Sequence, residues 1–320
     1  MERIMKTKKQ QHLLLVFSLV FFSSCLEIFE EKCPVDHHVH FAFLGESGKD
    51  ETNLFIHNVT DYIFNADSIL FRVDSDIRGD RIRTRSMDLP DGDWIIVSFA
   101  NLSLHSRLSP YSVGRTHLKD LVVEVVNPKL ARPDTPGYLG NSDKLYYSSL
   151  KLQVSNGSPT ASHRVIYAPA HSQMTLYVTW ENESQKPVDD GNLAIILHGI
   201  AGGCRFLSAP KIDKVYNIPY SIPYSLAGDK EQRVRVYKSD DTFRSDIVSM
   251  RYESGQAPSI QLMNASTPLS KPLDLNEFFK ANNIDLSNLR LQNFQLSIRV
   301  QESTIVISPI EILPWDIEYI

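Results

Sequence analysis

Short runs in which every second residue is apolar recur along this chain, and few stretches carry a helical repeat. Met174, Leu176, Val178 and Trp180 alternate with Thr175, Tyr177 and Thr179, and Leu150, Leu152 and Val154 alternate with Ser149, Lys151 and Gln153. Successive side chains on a strand point to opposite faces, so this pattern predicts strands with one face in a core and the other in water. Residues 35–43, 58–64, 68–73, 121–126, 193–197, 232–237, 246–252 and 293–300 read in the same way, and Asn65-Ala66-Asp67 turns the second of these into the third. One run departs from alternation. Leu89-Pro90-Asp91-Gly92 is turn chemistry directly before Trp94-Ile95-Ile96-Val97-Ser98-Phe99-Ala100, which is apolar enough to predict burial on both faces. A single helix is expected from Asp274, with Glu277 three residues on in the pattern of a capping box that leads into Phe278-Phe279-Lys280. The chain is therefore expected to be all-β, with one β-sandwich in each half.

The N-terminus carries a different message. Arg3, Lys6, Lys8 and Lys9 precede an apolar run from Leu13 to Phe22 that is short for a bilayer span and stops abruptly at Ser23-Ser24-Cys25, the pattern of a cleaved export signal. Small residues directly before a cysteine are what a bacterial lipoprotein processing site requires, so Cys25 is expected to be diacylated on sulfur and acylated again on its freed amine. Two or more chains, at about 0.8 kcal/mol per buried methylene, make such an attachment persistent. Residues 1–24 are then a signal peptide and residues 25–33 a lipidated tether. The 320 residues suffice for about two domains, and the small, polar, turn-prone stretch 155–162 is the expected linker between bodies at 34–154 and 163–320. A net charge of −5, which becomes more negative once the leader is removed, argues against nucleic acid as a partner. Cys33 and Cys204 would mature in a compartment where disulfides persist, either as a bridge or as two buried thiols, and both readings stay open at this stage.

No motif calls for catalysis or a cofactor. Asp36, His38 and His40 would share one strand face and tempt a metal reading, but one face rarely closes a coordination sphere and no partner cluster is visible, so solvated or packed histidines are expected instead. Gly199-Ile200-Ala201-Gly202-Gly203 lacks the glycine spacing of a dinucleotide fingerprint and is expected to form a loop. Nucleophile elbow, zinc-helix and phosphate-loop motifs do not occur, and Asp189-Asp190 and Asp240-Asp241 read as solvated turns.

Ser23-Ser24-Cys25 is followed by Ile28-Phe29-Glu30-Glu31-Lys32-Cys33, by an opening strand, by Asp61-Tyr62-Ile63-Phe64 before a turn, and by Leu89-Pro90-Asp91-Gly92-Asp93-Trp94 running into Phe99-Ala100-Asn101-Leu102. In order and spacing this resembles the FimB/Mfa2 family of fimbrial subunits from Bacteroidetes. The resemblance implies two transthyretin-like β-sandwiches, no enzymatic activity, and a lipidated anchor at the base of a fimbrium on the outer membrane, joined by strand exchange to the first stalk subunit, a fimbrillin. It also implies that an anchor, unlike stalk subunits trimmed after an early arginine, keeps its first strand. No arginine occurs from Leu26 to Phe71, and Arg72 falls inside a predicted strand.

The C-terminus offers the candidate joint. Ile305 with Ile307, Ile310 with Ile312, and Trp315, Ile317 and Tyr319 form three alternating segments broken at Ser308-Pro309 and Pro314. Such a tail either completes a partner's open sheet, main-chain bonds supplying affinity and alternate side chains filling pockets, or forms the last strands of its own sandwich. The alternative for the whole chain is a surface glycan-binding lipoprotein of a nutrient-uptake system with exposed Trp and Tyr. Trp94 and Trp180, both in apolar strands, are expected in the core, which weakens that alternative.

Overall fold

The computed structural model describes residues 37–126, 137–155, 161–187, 191–239, 242–302 and 304–309, all within one unit spanning Asp36–Ile320. In chain order these form β1 (His37–Phe43), the one-turn helix α1 (Thr52–Phe55), β2 (Val59–Phe64), β3 (Leu70–Ile77), β4 (Thr84–Met87), β5 (Gly92–Ala100), β6 (Ser106–Leu108), β7 (Val122–Val125), β8 (Tyr146–Val154) and β9 (Ser162–Pro169). The chain continues through β10 (His171–Trp180), β11 (Leu193–Ala201), β12 (Gly203–Asp213), β13 (Ile218–Ser225), β14 (Gly228–Arg235), β15 (Tyr237–Ser239), β16 (Thr242–Met250) and β17 (Ser259–Asn264). It ends with β18 (Thr267–Pro268), β19 (Leu273–Asp274), the helix α2 (Leu275–Ala281), β20 (Asn293–Gln301) and β21 (Thr304–Pro309). The class is all-β, as the period-two pattern requires.

A seven-stranded sheet runs in the order β3-β2-β5-β8-β9-β1-β4. Strands β8 and β9 meet through only two residue pairs, Tyr146 with Pro169 and Tyr147 with Ala168. Its two parts face one another: Val39, Phe41, Val165 and Tyr167 pack with Val59, Ile63, Trp94, Ile96, Leu152 and Val154 in one core. The opposite face of β2, β5 and β8 is buried as well. There Tyr62, Phe64, Val97, Phe99 and Tyr147 pack against Val123, Cys204 and Phe206 of a four-stranded sheet, β13-β12-β7-β6, and against Leu121 just before β7. The unbroken apolar run of β5 follows directly, because both of its faces are in cores.

The remaining strands make a second facing pair, β15-β16-β10-β20-β21 against β14-β11-β17-β18, with β19 beside β17. Leu176, Val178, Trp180, Ile195, Leu197, Phe243, Ile260, Leu296 and Ile298 fill the space between them. The helix forms where the sequence placed it: the Asp274 carboxylate accepts the Asn276 N–H at 2.7 Å, and Leu275 and Phe279 drop into this core. Trp94 and Trp180 are both buried.

The expected linker lies between β8 and β9, and its residues 156–160 fall outside the described residues. Strand β9 pairs in parallel with β1, and the β12–β13 hairpin also packs on the first sheet through Phe206 and Tyr220, so segments from beyond residue 162 enter both packed regions.

The expected loop at residues 199–203 is instead the end of β11, a turn at Gly202 and the start of β12. A Cβ on Gly203 would lie 2.3 Å from the Val123 carbonyl oxygen, so glycine there serves close strand approach, a demand that a count of glycines cannot distinguish from loop flexibility.

Candidate subunit interface

Two elements bear on how this protein could join a neighbour: the first and the last strand among the described residues. Strand β1 pairs in parallel with β9 from His38 to Phe43 and antiparallel with β4 from His37 to His40, so it is an internal strand with both edges used. Val39, Phe41 and Phe43 point into the core, each contributing about 2 kcal/mol by area removed from water.

A buried charge cluster holds the same strand. Arg85 Nε lies 2.7 Å from an Asp61 carboxylate oxygen, and both side chains are almost wholly buried. The Arg85 guanidinium also donates to the carbonyls of Arg81 and Ile82 and to the Tyr167 hydroxyl, and it stacks over the Phe41 ring at 3.5 Å. The exit of β1 is pinned from elsewhere. Arg290 donates to the carbonyls of Leu44 and Gly45, while its Nε donates to Asp213 at 2.6 Å. Burial alone would push the Asp213 carboxyl up, but the Arg290 hydrogen bond and the N–H groups of Tyr216 and Val215 outweigh it and hold the group below its ordinary value. Arg251, buried beside this cluster, is lowered to about 10 by burial, and it donates to the carbonyls of Arg290 and Leu289.

Among the described residues, strand β21 is the edge of its sheet and pairs antiparallel with β20, placing Ile305 opposite Val300 and Ile307 opposite Ile298. Ile305 is buried in the core and Ile307 is half-buried against it, while Val306 between them is 42% exposed. The strand ends at Pro309, which lacks an N–H and suits an edge. Of the sequence-predicted interface residues, Ile305 and Ile307 are thus brought together on one inward face. Ile310, Ile312, Trp315, Ile317 and Tyr319, like the lipidation candidate Cys25, lie outside the described residues.

The histidine run is spread out by the pleat. His38 bonds the Ser86 hydroxyl at 3.1 Å and His40 the Thr84 hydroxyl at 3.1 Å, while His37 is buried and stacks on His163. Asp36 is outside the described residues, among which no group of three metal-ligating side chains occurs. Cys204 is buried and unpaired among the described residues, its thiol pushed up to about 12 by burial, and Cys33 lies outside them. No helix among the described residues is long and apolar enough to cross a membrane.

Sequence reasoning missed the buried arginines. Asp61 in an otherwise apolar strand was the available signal, since a charge on a core face demands a partner, but nothing in the spacing named Arg85.

Comparisons with known proteins agree with this architecture. A search of curated proteins returns no match to the sequence. Among solved structures, the fimbrial anchor protein Mfa2 from Porphyromonas gingivalis superposes with a TM-score of 0.63 at 17% identity, covering 86% of this chain and 97% of that one. A candidate polysaccharide-binding protein from Bacteroides thetaiotaomicron superposes with a TM-score of 0.64 at 14% identity, covering 88% of this chain and 99% of that one. A candidate adhesin from Bacteroides ovatus gives 0.60 at 16% identity, with 91% and 97% covered. At these identities the structures establish the shared fold. The sequence itself matches a family description over residues 30–320, nearly its whole length, and the chain therefore belongs to the family of fimbrillin-A associated anchor proteins Mfa1 and Mfa2.

Proposed function

We propose that this protein, a fimbrial subunit by family, is the lipid-anchored base of its fimbrium. In this reading Cys25 is acylated after removal of residues 1–24, and residues 25–33 tether the folded body to the outer membrane at the cell surface. The body comprises an N-terminal sandwich, 34–154, and a C-terminal one, 163–320, with β9 and the β12–β13 hairpin as the C-terminal segments that bind the two together. The C-terminal residues, including Ile310, Ile312, Trp315, Ile317 and Tyr319, join the first fimbrillin of the stalk by strand exchange. The role is structural and non-enzymatic.

The observation that carries this reading is the engagement of β1. A subunit that receives a neighbour's strand must open a place for it, whereas here the first strand is internal, paired on both edges and tied by Arg85 and Arg290. The chain from Leu26 to Phe71 also lacks the arginine at which such a strand would be released. This protein is therefore suited to give a strand rather than to accept one at that position.

Mass spectrometry of the native protein tests the anchor directly: an N-terminal Cys25 carrying acyl chains is expected, and an unmodified residue 25 would refute it. Deleting residues 315–320 tests the joint separately, with fimbriae expected to detach from cells that still display the body of the protein. Fimbriae that stayed attached would remove the tail from the junction.

A further inference from the structure

A cleft of about 930 Å³ opens between the segment that follows β1 and the parallel pair β10 and β20. One wall is aromatic. Phe55, 37% exposed, leans edge-on against Phe43 at 5.2 Å between ring centroids and lies 6.5 Å from Tyr146, which is itself held edge-on by Phe43 at 4.8 Å. The other wall is amide-rich. Gln173 and Gln295 are half-buried on neighbouring strands, and neither side-chain amide has a hydrogen-bond partner among the described residues, while Asn293 engages Glu46.

The charges at the rim are mixed, Glu46, Asp50 and Glu51 against Lys49 and Lys144, so no strong field of one sign selects an ionic ligand. A strand-adding peptide is disfavoured for a separate reason. Strand β10 offers no free main-chain edge along the cleft, since it pairs there with both β16 and β20, and on β20 only residues 293–295, which precede the pairing with β21 at Leu296, are left with one described neighbour. Recognition in this cleft rests mainly on side chains, through the part-exposed Phe55 ring and the carboxamides of Gln173 and Gln295, which can each donate and accept.

We propose that this cleft binds a short neutral oligosaccharide, with Phe55 stacking on the apolar face of one sugar ring and Gln173 and Gln295 hydrogen-bonding hydroxyls of the ring or its neighbour. The volume lies within the range of small-ligand sites, roughly 300–1,000 Å³, and an aromatic wall beside a few oriented polar groups is how such sites combine affinity with orientation. The site stands at the end of β1 and the start of β20, next to the Leu296–Pro309 pair where β21 ends.

Saturation-transfer NMR and calorimetry on the full chain test this with a panel of neutral tetrasaccharides built from glucose, galactose, mannose, xylose or N-acetylglucosamine, beside tetragalacturonate and an unrelated hexapeptide. At least one neutral tetrasaccharide is expected to bind, and Phe55→Ala is expected to weaken it about tenfold or more, as is Gln173→Ala combined with Gln295→Ala. The glutamine variant keeps the assay decisive if loss of Phe55 disturbs the fold, because both glutamines lie on the solvent side of their strands and thermal melting can confirm that the fold is retained. The absence of binding by every neutral probe would overturn the proposal. So would binding indifferent to both variants, or a preference for the acidic tetrasaccharide or the peptide.

Discussion

His171 is fully buried, and its Nδ1 is hydrogen-bonded to the Leu145 carbonyl at 2.7 Å. Burial lowers its pKa from 6.5 to about 4, the Leu145 bond pulling weakly the other way. The folded protein therefore keeps this ring neutral while the unfolded chain takes up a proton below about pH 6.5, so stability is fully present above that pH and is lost as pH falls towards 4. The loss approaches roughly 3 kcal/mol. Urea melts at pH 7 and pH 5 should show it, and His171→Gln should flatten the difference; an unchanged slope would assign the pH dependence elsewhere. Gly203 makes a second residue-scale prediction. Its hydrogen faces the Val123 carbonyl across the β7–β12 pair, so Gly203→Ala must push two strands apart and should cost about 1–3 kcal/mol in a denaturant melt.

At the scale of elements, alternation along β21 separates burial from display. Ile305→Ala should cost about 2–4 kcal/mol because it empties part of a packed core, while Val306→Ala on the same strand should change stability by less than about 0.5 kcal/mol. Equal costs in a thermal or urea melt would mean that the strand does not sit in this register. The exit of β1 depends on a pair far apart in sequence, Asp213 and Arg290. Removing either partner leaves a buried charge unpaired, so Arg290→Ala and Asp213→Ala should each cost about 3–5 kcal/mol, and the double variant much less than their sum. Hydrogen exchange at residues 39–44 should quicken in both single variants. These elements were unequally legible. Strands β5 and β10 and the cap of α2 were readable because each is specified locally, by period, turn residues or a carboxylate at the right offset. The β1 latch and the cleft were not, since Arg85 with Asp61 and Gln173 with Phe55 are brought together only by strand order and crossovers.

For the whole molecule, the β12–β13 hairpin has the largest consequence. Strand β12 follows directly on β11 of the C-terminal core yet carries Phe206 into the core beneath Tyr62 and Phe99, and Tyr220 on β13 packs with Ala42, Ile166 and Ala168. The two packed regions therefore share chain, and they are expected to unfold together. Trp94 reports on one core and Trp180 on the other, so in a Trp315→Phe background the variants Trp94→Phe and Trp180→Phe should show coincident urea transitions by fluorescence. Two separated midpoints would show that the regions are independent. Membership in a fimbrial anchor family places the protein among fimbrium-associated proteins of the cell surface. What this sequence determined alone was whatever needs only near neighbours: an all-β class from period two, a double-sided burial of β5 from an unbroken apolar run, and one capped helix. The tertiary structure decided which strands are neighbours, and with that the internal position of β1, the arginines that pin it and the cleft beside it. The physical reason is that alternation fixes which face of a strand is apolar, but not which other apolar face will cover it.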